Sequence, residues 1–474
     1  MSSDQPRPLV IPPELQSEMT PAVRAFVEML LARIAKLEAR VEELEHGRKT
    51  PQNSSLPPSS QHPHGKPASP RGKSKRKRGG QPGHAKHQRE LIPTDECNEV
   101  LPLVPSVCRR CGEPLSGEDP QPLRHQVWEL PEIKPHVTEY QRHRLGCPAC
   151  GETTCAGLPP GVPQGQSGPR LMAFTAVLMA YYRQSKRRTA EFLRTLLGQP
   201  CCPALAVKIE NQVTATLRPC YEEVAAELPV QKHLNIDESP TKQERDKAWL
   251  WTFVARWFTV FAVRATREAT ALDDFLGATF SGVVICDRAK MYWQVGRLQW
   301  CWAHLKRDFQ SLIDSGDGPA KRLGYDLRAS AKRMFAHWAN YRDGTLSRAA
   351  LIRRMGPVRR RVERLLLRGS QSGNRRFQGM CRELVGHREW LWTFLYEDGV
   401  EPTNNAGERA LRHAVIWRKL SFGTQSASGS RFVETMLTVI ETCRQQRRNV
   451  LAFVTTAVQA HLTHAPAPSL LPTL

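Results

Sequence analysis

The chain has 474 residues, with 68 Lys and Arg against 46 Asp and Glu, so its formal net charge is +22. This length predicts several domains, since one domain usually holds roughly 100 to 200 residues. The positive charge favours a polyanionic partner, and nucleic acid fits it better than an acidic membrane surface. No run of about 18 apolar residues and no segment of signal-peptide type occurs, which argues against membrane-spanning and secreted proteins and predicts a cytoplasmic one.

Residues 20–47 carry apolar side chains at alternating steps of three and four positions, which is the heptad pattern of a coiled coil. The seam positions are Val23, Val27, Leu30, Ile34, Leu37, Val41 and Leu44. β-branched residues at one seam position and Leu at the other favour a parallel two-stranded coil, so we expect a homodimer or a higher assembly. An amphipathic helix packed on its own domain would produce a similar pattern.

Residues 48–92 are rich in Pro, Ser and basic side chains and contain too little apolar surface to fold alone. We interpret them as a disordered basic linker. The cluster Lys75, Arg76, Lys77 and Arg78 is a candidate for contacts with DNA phosphates. An ordinary solvated linker would have the same composition, and charge alone does not separate the two interpretations.

Residues 93–160 contain two Cys-x2-Cys pairs, Cys108 with Cys111 and Cys147 with Cys150, separated by 35 residues. Four thiolates in two such pairs complete a closed tetrahedral site, which is typical of structural zinc in a zinc ribbon. The long gap predicts an inserted strand pair within HQVWELPEIKPHVTEYQRHRLG. Cys97 and Cys155 lie nearby and remain competing ligands.

Residues 168–230 have apolar side chains at helical spacing, interrupted by Gly and Pro between 198 and 203. Basic residues precede the helix that ends at this break. The segment therefore resembles a helix-turn-helix, and we interpret it as a helical DNA-binding region. Any two-helix hairpin would give a similar pattern.

From residue 231 the pattern changes to strands. KHLNIDES predicts a short strand ending on Asp237, residues 248–265 predict two strands joined near Arg256 and Trp257, and GVVICDRA predicts a strand ending on Asp287. Carboxylates at the ends of neighbouring strands can share divalent cations that act in phosphoryl transfer. Either aspartate alone is more often a turn or cap residue.

After a long Arg-rich helical stretch to about residue 397, residues 403–430 contain one acid, Glu408, among many basic side chains. Glu408 is a candidate metal ligand, although Asn405-x2-Glu408 is also close to a helix capping box. Four basic residues are candidate phosphate contacts or simply a solvated helix face: Arg409, Arg412, Arg418 and Lys419. Cys301-x2-His304 is half a zinc site by spacing, but a structural role or a phosphate contact by His304 fits it better.

NIDES, VVICDRAKMYW, LQWCWAHLKRDF and VEPTNNAGERALRHAVIWRKLSFGTQSASGS together resemble the insertion sequence 66 family of bacterial DDE transposases. The order of coil, basic linker with RGGQPGH and four-cysteine region is similar as well. The resemblance implies a ribonuclease-H-like catalytic core in residues 231–309 and 398–445, a helical insertion in 310–397 and a C-terminal tail in 446–474. It also implies an acidic triad of Asp237, Asp287 and Glu408 that binds Mg²⁺ or Mn²⁺.

These observations predict a multidomain α/β protein that acts as a DNA transposase. By the resemblance, it would bind the ends of an insertion element, cut DNA with divalent metal and join the cut strand to target DNA, with accessory proteins of the same element as further partners. No membrane is expected to take part. Two alternatives remain: a DNA-binding regulator or captured relic without catalysis, and a site-specific nuclease that does not join strands.

Overall fold

The structure, a computed structural model, describes residue 12 and residues 19–46, 53–54, 89–315 and 317–472. The predicted phosphate contacts Lys75, Arg76, Lys77 and Arg78 lie outside the described residues. The chain forms two compact units, one from residues 63–136 and the other from residues 1–62 and 137–474. The mixed α/β architecture that the sequence predicts is confirmed.

The expected strand pair between the two Cys-x2-Cys pairs is wrong. Strand β1, Arg144–Gly146, starts only at the end of that segment, and it pairs with β2, Thr153–Cys155, beyond the second cysteine pair. Prolines at 131 and 135 remove backbone donors, and Leu123 and Val137 remain largely exposed. The apolar residues of this segment therefore have no sheet face to bury, and the segment forms no regular secondary structure before β1.

Helix α1, Pro21–His46, confirms that the heptad segment is helical, and several of its seam side chains are exposed: Val23, Leu30, Ile34 and Leu37. Three more helices follow the cysteine region: α2 Pro169–Ala180, α3 Lys186–Leu197 and α4 Pro203–Ala226. Gly198 closes α3 with a left-handed φ of 60°, and Pro203 opens α4. The predicted break is thus confirmed, while DNA contact by these helices stays a prediction.

The main sheet has five strands: β3 His233–Gln243, β4 Asp246–Val254, β5 Thr259–Arg264, β6 Val283–Cys286 and β7 Leu298–Trp300. Their order is β5-β4-β3-β6-β7. The first three pair antiparallel, whereas β6 is parallel to β3 and β7 is parallel to β6. Helix α5, Thr270–Leu276, connects β5 to β6. The two strands predicted for residues 248–265 are confirmed, with a tight turn at residues 255–258.

Strand β3 differs from its prediction, because it does not end at Asp237. It continues to Gln243 and pairs with β4 along its whole second half. The polar stretch after Asp237 resembles a loop in sequence, but it forms a hairpin whose turn includes Glu244 at a φ of 57°. Asp237 therefore lies inside a strand, just past the part of β3 that pairs with β6.

The remaining helices all follow the last strand of the sheet in sequence. They are α6 Trp302–Ile313, α7 Gly318–Arg342, α8 Arg348–Ser370, α9 Arg375–Gly386, α10 Asn405–Ser421, α11 Ala427–Gln445 and α12 Val450–Leu462. Helix α10 packs Ala410, Leu411 and Ala414 on the sheet residues Leu250 and Phe261. Among the described helices, none combines the length and apolar character needed to cross a membrane.

Helix α11 covers the open edge of β5 with side-chain acceptors. Three of them, four residues apart on the helix, bind backbone N–H groups two residues apart on the strand: Thr442 with Thr259 at 3.1 Å, Thr438 with Phe261 at 2.9 Å and Glu434 with Val263 at 3.0 Å. Four helical residues rise about 6 Å and two strand residues about 6.6 Å, so the two repeats match. The edge is thereby closed to other strands.

Candidate active site

Asp237 and Asp287 lie at the same level of two neighbouring parallel strands. The pairing of β3 with β6 ends at Asn235 and Ile285, and each aspartate follows its own last paired residue by two positions. Neighbouring strands are about 4.8 Å apart. The register therefore brings two carboxylates that are distant in sequence within reach of one cation.

The acids interact electrostatically. Burial, followed by the negative charges of Glu238, Asp287 and Glu408, raises the pKa of Asp237 well above its ordinary value. One oxygen of each aspartate is fixed by a neighbouring backbone N–H: Asp237 Oδ1 accepts from Glu238 at 3.0 Å, and Asp287 Oδ1 accepts from Ala289 at 2.8 Å.

Glu408 lies in the first turn of α10 and faces α6. Its Oε1 is 3.5 Å from His304 Nδ1, and its Oε2 is 4.0 Å from an Arg307 guanidinium nitrogen. The residue that caps α10 is Asn404, and its side chain does not cap the helix. The capping-box interpretation of Asn405 and Glu408 is therefore wrong, and the negative charge of Glu408 instead acts on Asp237.

The residues present fit a divalent cation. Three carboxylates offer the oxygen donors that Mg²⁺ and Mn²⁺ prefer. In addition, His304 Nδ1 and Glu408 Oε1 are buried atoms with no hydrogen-bond partner among the described residues. A buried polar atom without a partner is unfavourable, and a ligand between these groups would satisfy both atoms.

Cys301 lies beside this pair, because Cys301, His304 and Glu408 each place one possible ligand atom within 4.8 Å of the others. Burial raises the pKa of the Cys301 thiol to about 11, and its Sγ accepts the Asn404 N–H at 3.2 Å. A thiol that keeps its proton is a poor metal ligand. This favours a structural role for Cys301 in the Cys301-x2-His304 pair, with only His304 facing the acids.

Asn404 joins the three chain segments of the site, and the sequence did not reveal this role. Its side chain is 1% exposed; Nδ2 donates to the Ile236 carbonyl at 2.7 Å, and Oδ1 accepts from Asn235 Nδ2 at 3.0 Å. Its backbone N–H reaches Cys301 Sγ, and its carbonyl accepts the Glu408 N–H. Asn404 thus links β3 beside Asp237 to the start of α6 and to the first turn of α10.

Glu238, next to Asp237 on the opposite face of β3, is a second residue that the sequence analysis missed. Its carboxylate accepts hydrogen bonds from Arg267 and from the hydroxyl of Tyr292. Tyr292 belongs to the segment that follows Asp287 in the chain. Burial, followed by the charge of Asp287, raises the pKa of Glu238 to about 7. Two adjacent acids in one predicted strand were the sequence feature that could have indicated a role for Glu238. Glu238 ties the segment after Asp287 to β3.

Arg288 anchors that same segment on its other side. Its Nε donates to Asp308 Oδ2 at 3.1 Å, and one of its terminal nitrogens donates to Glu383 Oε1 at 2.6 Å. Asp308 lies on α6 and Glu383 on α9, so these two helices hold Arg288, the residue after Asp287. Trp300 and Trp302, which flank Cys301, are fully buried and belong to the core.

The four basic candidates on α10 differ in orientation. Arg409, Arg412 and Lys419 are exposed on its outer face. Arg418 instead donates a hydrogen bond to Ser239 Oγ at 2.9 Å, and burial lowers the pKa of its guanidinium. Arg418 therefore attaches α10 to β3, and the other three offer charge to a partner.

The two Cys-x2-Cys segments form the same local turn. In each, the first cysteine donates to a carbonyl five residues on, and a Gly with left-handed φ donates back to that cysteine: Cys108 with Glu113 and Gly112, Cys147 with Glu152 and Gly151. Backbone N–H groups of its own turn lower the pKa of Cys108 and of Cys147. Such turns favour thiolates. Binding of zinc by these cysteines stays a prediction.

The three acids, the mixed sheet and the basic outer helix face are features of a protein that processes nucleic acid. The sequence profile described as "Transposase IS66 family" matches residues 164–431, which is more than half of the chain. The chain belongs to the IS66 family of transposases, which confirms the resemblance seen in the sequence. The matched range includes Asp237, Asp287 and Glu408.

Two further matches were found, one to a family that covers the N-terminal region and one to a protein of lower sequence identity. Residues 10–90 match a "Family of unknown function (DUF6444)". "Uncharacterized protein y4qI" of Sinorhizobium fredii (strain NBRC 101917 / NGR234) is 25% identical over 237 residues, which is 44% of this chain and 42% of that protein. The chain thus spans less than half the length of this relative.

Proposed function

We propose that this transposase binds the ends of an insertion element and catalyses metal-dependent DNA strand cleavage and strand transfer, with Asp237, Asp287 and Glu408 as the catalytic acids. One observation supports the proposal: Asp237 and Asp287 follow the last paired residues of neighbouring parallel strands, and the negative charges of Asp287 and Glu408 both act on Asp237. The third acid, Glu408, comes from a helix that Asn404 fastens to the first strand.

The five-strand order supports a ribonuclease-H-like core. Three antiparallel strands followed by two strands parallel to the first are the arrangement that the family resemblance implies. We propose residues 231–309 and 398–445 as the two parts of this core and residues 310–397 as its helical insertion. Residues 168–230 would bind DNA, and residues 446–474, which include α12, would complete the helical packing.

In the proposed mechanism, the chain positions an attacking oxygen, first of water and then of the freed 3′ hydroxyl, in line with the phosphorus–oxygen bond of the DNA backbone that breaks, so the 3′ oxygen of that bond leaves. Asp237, Asp287 and Glu408 would hold Mg²⁺ or Mn²⁺, which when bound activates the attacking oxygen and stabilises the leaving one. Arg307 and His304, beside Glu408, lie where they can bind phosphate oxygens. Water attacks first at the element end, and the freed 3′ hydroxyl then attacks target DNA.

The other regions complete the proposal. α1 would pair with α1 of a second copy, giving a homodimer or a higher assembly, because its exposed seam needs a partner. The Cys-x2-Cys turns would bind structural zinc, and the basic residues 75–78 would contact DNA phosphates. Accessory proteins of the same element are further expected partners.

A strand-transfer assay tests this function. The purified protein is incubated with Mg²⁺ or Mn²⁺, a labelled duplex carrying the element's terminal repeat, and a supercoiled target plasmid. Joined product supports a transposase. Cleavage without joining would indicate a site-specific nuclease, and binding without cleavage would indicate a regulator or relic, so either result contradicts the proposal.

A further inference from the structure

Helix α10 carries an exposed stripe that leads away from Glu408. Its members follow one another at helical spacing: Arg409, Arg412, Ile416, Lys419 and Leu420. The stripe begins with cations and ends with apolar side chains, and Phe422 follows directly after the helix. Ile416 is 38%, Leu420 62% and Phe422 82% exposed. Adjacent large apolar side chains that face solvent indicate a contact surface.

Phe422 occupies a conformation that its side chain disfavours. Its φ of 59° and ψ of 21° lie in the left-handed region, which Gly adopts freely and Phe does not. Because the ring is so exposed, packing within the described residues does not compensate for this strain. Folding alone would favour Gly at this position, and the exposed aromatic ring is available to a partner.

The segment that holds Phe422 is fixed on the catalytic strand. Thr424 N–H donates to the Lys242 carbonyl at 3.0 Å, and Glu244 N–H donates to the Thr424 carbonyl at 2.7 Å. A Cβ on Gly423 would lie 2.5 Å from the same Lys242 carbonyl, so only Gly fits there. Phe422 is therefore held rigidly relative to β3, which also carries Asp237.

We propose that Phe422, with Leu420 and Ile416, inserts against the nucleobases of bound DNA, while Arg409, Arg412 and Lys419 hold its phosphates. This inference rests on the proposed transposase function. Charge complementarity selects the occupant, because the cations on the same stripe suit the phosphates of a polyanion. An apolar wedge flanked by cations is a known way to unstack and bend a duplex.

The contact lies at a defined distance from the reacting phosphate. Phe422 follows Glu408 by 14 positions (422 − 408), and at about 1.5 Å per helical residue this spans roughly 21 Å. At about 3.4 Å per nucleotide, that distance corresponds to roughly six base pairs. With the duplex lying along α10, Phe422 would unstack a base step about half a helical turn from the acids.

The test uses two fluorescein-labelled duplexes of one sequence, one fully paired and one with a single mismatch, and measures binding by anisotropy. Phe422→Gly is expected to weaken binding to the mismatched duplex about tenfold, because stacking on an already weakened base pair is favoured. The paired duplex should lose less affinity. Phe422→Trp should restore binding, and Tyr325→Ala, an exposed aromatic on α7, should change neither affinity.

The possible results distinguish a failure of this inference from a failure of the proposed function. Gly also relieves the left-handed strain, so the Phe422→Gly protein is expected to melt no lower than the parent. Parental affinity of Phe422→Gly for both duplexes would overturn the inference while leaving the proposed function intact. A lower mass in light scattering with unchanged DNA binding would assign the ring to a contact between copies and also overturn it. A parent protein that binds neither duplex would contradict the proposed function itself.

Discussion

Replacing Asn404 should separate the three segments of the acidic site. Asn404→Ala removes two buried side-chain hydrogen bonds, to the Ile236 carbonyl and from Asn235 Nδ2. Each is worth about 1 kcal/mol, and the groups left unpaired inside the protein add about 1–3 kcal/mol. We therefore expect the free energy of unfolding to fall by roughly 3 kcal/mol.

Cleavage should fall by more than the loss of folded protein explains. Glu408 N–H binds the Asn404 carbonyl, so a shift of Asn404 moves the acid relative to Asp237. A misplacement of about 1 Å at such a site lowers the rate roughly 100-fold. Asn404→Asp should be worse, because it loses the Nδ2 donor and adds a negative charge beside two acids.

The assay measures single-turnover cleavage per folded molecule over a range of Mn²⁺ concentrations, beside a denaturant unfolding curve. Asn449→Ala is the matched control, since Asn449 caps α12 through Ala452 N–H and should cost about 1 kcal/mol of stability with parental cleavage. If Asn404→Ala lost stability but cut at the parental rate with the same metal dependence, its positioning role would be refuted.

Three further outcomes are expected. In metal-free protein, the pKa of Glu238 is raised from 4.5 to about 7. Between these two values the folded protein keeps a proton on Glu238 that the unfolded chain releases. The stability that this proton contributes is therefore complete below pH 4.5 and is lost as the pH rises through about 7. The Glu238→Gln variant should lack this decrease in the free energy of unfolding with rising pH. If the free energy of unfolding depended on pH with the same slope in both proteins, this prediction would be contradicted. Purified, reduced protein should contain one structural zinc ion per chain, and a double Cys147→Ser and Cys150→Ser variant should lack it. If metal analysis found no zinc in the parent protein, this prediction would be contradicted. Leu30→Lys with Leu37→Lys should reduce the mass in solution by dissociating the coil, whereas a parent that is already monomeric would disprove the coil.

Local sequence patterns were sufficient for the elements whose side chains alternate or repeat clearly. The strands that precede Asp287, the pair over residues 248–265 and the helices around Gly198 follow from apolar periodicity and from Gly and Pro at their ends. The acid triad could be proposed only through the resemblance of its three segments to the transposase family, since either aspartate alone is more often a turn or cap residue. What sequence spacing did not supply was the register of β3 against β6, which aligns the two aspartates.

The errors have a common physical cause, since tertiary contacts override local preference. The sequence suggested a cap at Asn405, but the cap residue of α10 is Asn404, and its side chain binds β3 instead. Arg418 belongs to a basic helix, yet it bonds Ser239 inside the protein. The polar half of β3 resembles a loop, yet β4 pairs with it. In each case the deciding partner is distant in the sequence.

The central claim is that Asp237, Asp287 and Glu408 are the catalytic metal ligands. The most direct test is single-turnover cleavage of a labelled element end in Mg²⁺ or Mn²⁺ by Asp237→Asn, Asp287→Asn and Glu408→Gln, with DNA binding measured beside it. Amide substitutions keep side-chain shape and remove the charge that a divalent ion requires. Each variant is expected to bind element ends nearly as well as the parent and to lose cleavage by several orders of magnitude, whereas Glu401→Gln, in the loop before α10, should cut normally. Cleavage by Glu408→Gln at a near-parental rate would contradict the account.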